Sequence, residues 1–214
     1  MTSTNIIFDL DGTLVDSAAA ILSSIDRALM EVGVQAERPL TDEVIGPPID
    51  RIVATLLTGQ NKNKLSRVLE IFRRDYDERG YNHTLPYPGV NDLLEQIRQH
   101  RIPAYIATNK RNIPTQKILR KFRWEATFEK IYTIDGCAPT NLDKADMLSK
   151  IARTPAKGLQ RYIYVGDRSD DAQAAEKAGV EFVWAMWGYE SDVKRMKGHM
   201  RLERPADLFS ILNK

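Results

Sequence analysis

The sequence predicts an α/β fold: a parallel sheet with helices on both faces, and a purely helical insert after the first strand. Three observations predict it. Short apolar runs recur along the chain, and several end abruptly in acidic or polar residues. Segments with a helical period separate most of these runs, which is the pattern of βαβ units. One long stretch, residues 17–85, keeps the helical period and offers no convincing strand. The length of 214 residues is long for one compact domain and short for two full-sized ones, so a core with a smaller insert fits.

Taken in order, the first run is Asn5-Ile6-Ile7-Phe8, which stops at Asp9-Leu10-Asp11-Gly12 as a buried strand entering a loop does. In the insert, Ile21, Ile25, Leu29 and Val32 share a helix face, and so do Leu65, Val68, Phe72 and Tyr76. Turn signals at Gly33, Pro39, Gly46-Pro47-Pro48, Gly59 and Pro86-Tyr87-Pro88-Gly89 bound the pieces. Strand-like runs return at residues 104–107, 131–134, 162–165 and 181–184. Between them Val90, Leu93, Leu94 and Ile97 make one helix face, and Met147, Leu148 and Ile151 another. Ala172, Ala175 and Ala178 form a small-residue face suited to lying close on a sheet. Residues 188–204 are charged and poorly patterned, which predicts a long surface loop with at most a helical turn.

Composition excludes several function classes. Lys and Arg number 31 against 29 Asp and Glu, a net charge of +2 that gives no reason to expect nucleic acid or an anionic membrane as partner. The basic run Lys117, Arg120, Lys121 and Arg123 has no interleaved aromatic platform and reads as a solvated helix face. No apolar stretch approaches the ~20 residues needed to span a bilayer, and residues 1–5 lack the pattern of a secretory leader. The single cysteine, Cys137, has no internal partner and no evident activator, so a reducing, cytoplasmic setting is expected. His83, His100 and His199 lie far apart, without metal-ligand spacing. Trp184 and Trp187 read as packing residues near the last strand.

The chemistry-bearing residues gather at predicted strand ends. Asp9 and Asp11, two apart, can turn both carboxylates toward one site, Gly12 permits a tight reversal, and Thr13 offers a hydroxyl or amide to an anion. A second acidic cluster, Gly166-Asp167-Arg168-Ser169-Asp170-Asp171, follows another apolar run. Hard carboxylate oxygens in that number suit Mg²⁺, which keeps several waters and binds substrate phosphate. Thr108-Asn109-Lys110 follows a third run, and Lys144 opens a helix where its ammonium can neutralise a transferring phosphoryl group. In an open α/β sheet such strand ends are where ligands bind. A chance Asp-x-Asp-Gly-Thr string is on the order of one in a thousand for a chain this long, and the ordered later clusters lower that further.

Together these segments resemble the haloacid dehalogenase-like hydrolase superfamily. Residues 9–17, Asp-Leu-Asp-Gly-Thr-Leu-Val-Asp-Ser, look like its first motif; Thr108-Asn109 resembles the second, Lys144 the third, and Gly166-Asp167 through Asp171 the fourth, continued by Ala174, Ala175 and Gly179. The insert resembles the helical cap of the phosphoglycolate phosphatase-like branch. The resemblance implies a Rossmann-like core over residues 1–16 and 86–214, a cap over 17–85, and hinges near 15–17 and 86–89. It implies that Asp9 is the nucleophile that carries the phosphate, and that Asp11 is the general acid and base. Asp9, the Asp11 carbonyl and Asp167 would hold Mg²⁺, with Asp171 as a ligand or as a partner behind the ligands. Thr108 and Lys144 would bind the phosphoryl group, assisted by Gly12, Thr13, Asn109 and Lys110. Arg51, just beyond the Gly46-Pro47-Pro48 loop, would pair with a second anionic group on the substrate.

Two positions depart from the pattern. Arg168 stands where the family often has Ser or Thr, and its guanidinium could compete with Mg²⁺ for the carboxylates. Lys144 is flanked by Asp143 and Ala145 rather than a proline, which keeps Lys150 and Lys157 as competing lysines. The implied function is a Mg²⁺-dependent phosphatase acting on a small phosphate monoester, phosphoglycolate-like or a sugar phosphate, in a monomer or homodimer. A phosphoryl mutase and a non-catalytic binding protein of the same fold are the alternatives.

Overall fold

The structure is a computed structural model that describes residues 3–136, 142–154 and 160–212. Cys137 and Lys157 lie outside the described residues. The chain runs β1 (Ser3–Phe8), β2 (Val15–Asp16), α1 (Ala18–Val32), α2 (Ile49–Leu56), α3 (Leu65–Glu78), β3 (Leu85–Pro86), α4 (Val90–Gln99) and β4 (Ala104–Thr108). It continues through α5 (Asn112–Phe122), β5 (Lys130–Thr133), α6 (Lys144–Ala152), β6 (Gln160–Gly166), α7 (Ser169–Ala178), β7 (Glu181–Ala185), β8 (Met200–Leu202) and α8 (Leu208–Leu212).

A six-stranded parallel sheet, in the order β5-β4-β1-β6-β7-β8, forms the core. Its central strands are apolar on both faces because helices cover both. Ile6, Phe8, Ile106, Ile163 and Val165 pack toward α4 and α8 on one side. Ile7, Ala107 and Tyr164 pack with Met147, Leu148 and Ile151 of α6 and with Ala172 and Ala175 of α7 on the other. Phe8 pairs with Ile106 and with Val165, so β1, β4 and β6 deliver their C-terminal ends to one place.

The helices between β2 and β3 bury a core of their own, in which Ile25, Val53, Leu56, Val68 and Tyr76 are almost fully enclosed. Val15–Asp16 pairs antiparallel with Leu85–Pro86, so the two chain crossings into and out of this insert are stitched side by side.

Residues 188–204 differ from the expected loop. A helical turn at Val193–Met196 is present, but Met200–Leu202 adds a sixth, parallel edge strand beside β7. Only Leu202 of that strand is buried, so three residues carry no readable alternation. On the basic face of α5, Arg120, Lys121 and Arg123 are exposed as expected, while two of its lysines also reach the insert. Lys117 donates to the Asp77 carbonyl at 2.6 Å, and Lys121 to the carbonyls of Asn82 and Thr84 at 2.6 and 2.8 Å. These two lysines cap the end of the insert.

Candidate active site

The site lies beyond the C-terminal ends of β1, β4 and β6, where open α/β sheets bind ligands. Asp9 follows β1 directly, and its amide still donates to the Val165 carbonyl at 2.9 Å, which ties it to the end of β6. The next turn needs Gly12, whose φ of +85° is left-handed. A Cβ there would also stand 2.3 Å from Oδ2 of Asp167, so the glycine lets the two acidic loops close on each other.

Lys144 is brought in by its helix. Asp143 caps α6, accepting from the Asp146 amide at 2.8 Å, while the Asp146 carboxylate accepts from the Asp143 amide at 3.3 Å. The aspartate that stands where the family resemblance leads one to look for context is therefore a helix start. Buried Lys144 then reaches Oδ2 of Asp9 at 3.0 Å and Oδ1 of Asp171 at 2.6 Å. Burial would lower its pKa, but Asp171 and Asp9 overcome that and hold it above the usual lysine range. Lys150 lies further along the same helix.

Asp9, Asp167 and Asp171 are all buried, with one oxygen of each within 4.8 Å of the others. Burial pushes Asp9 up to about 7 despite Lys144, and pushes Asp167 well above the usual carboxylate range, with Asp171 and Asp9 adding to the rise. Three buried carboxylates face one ammonium, which leaves negative charge uncompensated. Among the described residues, Oδ1 of Asp9 is a buried oxygen with no hydrogen-bond partner. An orphaned hard oxygen beside surplus negative charge fits a divalent cation.

Asp171 separates from the other two. Its Oδ1 accepts from Lys144 and, at 3.0 Å, from the Tyr164 hydroxyl; its Oδ2 accepts from the amides of Asp167 and Arg168 at 3.1 and 3.0 Å. Both oxygens are engaged, so Asp171 holds Lys144 and the 167–168 turn in place. Asp167 is held from the other side by the Tyr189 amide at 2.7 Å. Tyr189 and Gly188 escaped the sequence reading, although they follow the end of β7 in the position where such sheets place site residues. Tyr189 also sets its hydroxyl on the amides of Ser17 and Ala18 at 2.8 and 3.1 Å.

The Asp11 side chain lines the same cavity as Asp9 but is not part of the cluster of Asp9, Asp167 and Asp171. It accepts from Lys110 at 2.9 and 3.1 Å and from the Ser17 hydroxyl at 2.5 Å. Lys110 is sealed against the insert, 2.9 Å from the Tyr76 hydroxyl, with its ammonium 4.6 Å from the ring centre. Burial would lower Lys110, yet Asp11 and Tyr76 keep it above its usual range. Thr108 is buried on the cavity floor and accepts from the Lys110 amide at 3.2 Å.

Other predicted contacts fall differently. Gly12 and Thr13 shape the loop and do not line the cavity; the Thr13 hydroxyl points to Asp167 at 3.5 Å, and its carbonyl accepts from Trp187 at 2.9 Å. Asn109 lines the cavity but gives its amide to the Gly46 carbonyl of the insert at 2.9 Å. Arg51 is exposed on the wall of an outer groove of about 960 Å³ that adjoins the inner cavity of about 50 Å³. Arg168 does not compete for the carboxylates: its guanidinium donates to the carbonyls of Glu43 at 2.9 Å and Tyr189 at 3.3 Å. That geometry removes the argument it offered for a non-catalytic protein.

The fold and this edge define the class, an α/β protein with a helical insert over a cation-ready acidic site. The chain belongs to the haloacid dehalogenase-like hydrolase family, whose sequence model matches residues 6–185. It is 33% identical over 188 residues to a protein of Mycobacterium tuberculosis named tyrosine-protein kinase PtkA; the match covers 86% of this chain but 62% of that protein's length. It is 28% identical over 212 residues to a phosphoglycolate phosphatase of Aquifex aeolicus, covering 97% of this chain and 96% of the relative. A solved haloacid dehalogenase-like hydrolase from Streptococcus pneumoniae superposes with a TM-score of 0.82 at 26% identity, covering 99% and 98% of the two chains.

Proposed function

We propose that the protein is a Mg²⁺-dependent phosphatase that releases inorganic phosphate from a small phosphate monoester through a phosphorylated Asp9. The observation that carries the reading is Asp9 itself. It is buried on the cavity floor, has one oxygen fixed 3.0 Å from Lys144, and has the other without a partner among the described residues. The phosphatase name of the full-length Aquifex relative supports it.

Asp9 attacks phosphorus, the bond to the ester oxygen breaks, and Asp11 gives that oxygen its proton. Water then attacks the phosphoryl group, its proton passes to Asp11, and the bond to Asp9 breaks, which regenerates the site. Splitting one displacement into two lets a single carboxylate serve as nucleophile and leaving group. Thr108 and Lys144 hold the phosphoryl oxygens, and Lys110 with Ser17 keeps Asp11 aimed at the leaving oxygen. Asp9 and Asp167, with the Asp11 carbonyl that the family resemblance adds, would hold the cation. When bound, Mg²⁺ offsets the negative charge shared by Asp9 and the phosphoryl group. The insert covers the site and excludes bulk water.

The test is phosphate release from a panel of small esters, with and without Mg²⁺, in wild type and Asp9→Asn. Release that requires Mg²⁺ and drops to background in the variant is expected; release that survives in Asp9→Asn would falsify the assignment. The likeness to a protein named a tyrosine-protein kinase favours a second reading, phosphoryl transfer to a protein hydroxyl. Label moving from the γ-phosphate of ATP to a tyrosine peptide would favour that reading.

A further inference from the structure

The inner cavity has two unlike faces. Its floor holds Asp9, Asp11 and Thr108, while the insert supplies a wall of Ile21, Ile45, Pro47, Ile49, Ile52 and Phe72. Three cations reach this space and all are already paired, Lys144 by Asp9 and Asp171 at the phosphoryl end. Lys110 is bound by Asp11 and Tyr76, and Arg111 makes two parallel bonds to the Asp77 carboxylate at 3.0 and 2.5 Å. Among the described residues no further cationic side chain lines the cavity, since Arg38, Arg51 and Arg73 line only the outer groove. A second carboxylate on the leaving group would therefore be buried against aliphatic side chains, close to Asp11 and without a partner, which is strongly unfavourable. An uncharged apolar group gains from the same burial.

We infer that the site selects phosphate monoesters of uncharged, apolar alcohols or phenols, and rejects those whose leaving group carries a carboxylate next to the ester oxygen, of which phosphoglycolate is the simplest. The inference rests on the phosphatase reading above and narrows its substrate class. It sets this chain apart from relatives named for phosphoglycolate. Selection comes from an unpaired charge on the wrong substrate as much as from contact with the right one.

The experiment compares butyl phosphate, phenyl phosphate and phosphoglycolate, both by kcat/KM in wild type and by calorimetric binding to Asp9→Asn. Butanol is no better a leaving group than glycolate, so a preference for butyl phosphate reflects recognition rather than intrinsic reactivity. Both apolar esters are expected to exceed phosphoglycolate by at least about tenfold in each measurement. The order of butyl and phenyl tells alkyl from aryl, and either order supports the inference. Asp77→Ala supplies the internal check, because Asp77 does not line the cavity and its loss frees Arg111. The preference for butyl phosphate over phosphoglycolate should then fall at least about threefold. Equal or tighter handling of phosphoglycolate in wild type, or an unchanged ratio in Asp77→Ala, overturns the inference. If no ester is turned over, the phosphatase reading fails; the binding order on Asp9→Asn still decides the selectivity, and absent or phosphoglycolate-first binding overturns it.

Discussion

Asp75 sits on the buried side of α3, with Arg27 at 2.7 Å on one flank and Arg79 at 2.5 Å on the other. Burial alone would raise its pKa, but the hydrogen bonds from Arg27, Ser24 and Arg79 bring it down to about 2. The linkage has a definite sign. A carboxylate whose folded value lies below its ordinary 3.8 stabilises the fold above that pH, and the contribution is lost as pH falls toward 2. Asp75→Asn keeps the shape and removes the charge, so it should cost about 1–3 kcal/mol near neutrality. Denaturant titrations across pH check this: the gap between wild type and variant should close between about pH 4 and pH 2. A gap that stays constant over that interval would show that packing, and not the charge, is what Asp75 contributes. At the same scale Asp9 runs the other way, since its raised value makes the fold lose stability as pH climbs from about 4 to about 7.

The loop after β7 ties one element to the site. A Cβ on Gly188 would stand 2.2 Å from Cβ of Asp167 and 2.4 Å from the Gly12 carbonyl oxygen, so backbone or Asp167 must yield. Gly188→Ala should therefore raise the Mg²⁺ concentration for half-maximal activity by about tenfold or more, as disturbance of groups behind a metal site does. Unchanged Mg²⁺ dependence would mean that the close approach does not position Asp167. This loop was also the part least legible in the sequence. The strands β1, β4, β6 and β7 announce themselves because burial on both faces demands continuous apolar runs. The insert announces itself through Ile21, Ile25 and Leu29 at helical spacing. The edge strand Met200–Leu202 buries one residue and leaves no pattern. Tyr189 works through its amide and a distant hydroxyl contact, 22 residues from Asp167 and 172 from Ser17, which local spacing cannot reveal. The carboxylates at the strand ends were legible because their spacing is local. The pairing of Lys110 with Asp11, 99 residues away, was not.

Across the whole molecule, core and insert are held by several polar contacts, of which Asn109 to Gly46 and Lys110 to Tyr76 line the cavity. Lys117 and Lys121 of α5 grip carbonyls at the end of the insert, and Asn109 and Arg168 hold the carbonyls of Gly46 and Glu43. Lys110 adds its bond to the Tyr76 hydroxyl. None of the α5 lysine contacts touches a cavity-floor residue, so loosening them changes how often the insert is seated without altering the reacting groups. The paired variant Lys117→Met and Lys121→Met keeps the aliphatic stems and removes only the ammonium donors. A site that binds substrate only when covered loses apparent affinity in proportion to the covered fraction. KM should therefore rise about threefold to tenfold with kcat held within about twofold. Amide exchange in α3 and in residues 80–84 should quicken, while exchange in β1 and β6 stays slow, because opening the insert leaves the sheet packed. A fall in kcat at constant KM would place the effect in the chemistry and contradict a seating role. Uniformly faster exchange through the sheet would mean that the insert and core open as one cooperative unit, which the separate apolar cores of the two argue against.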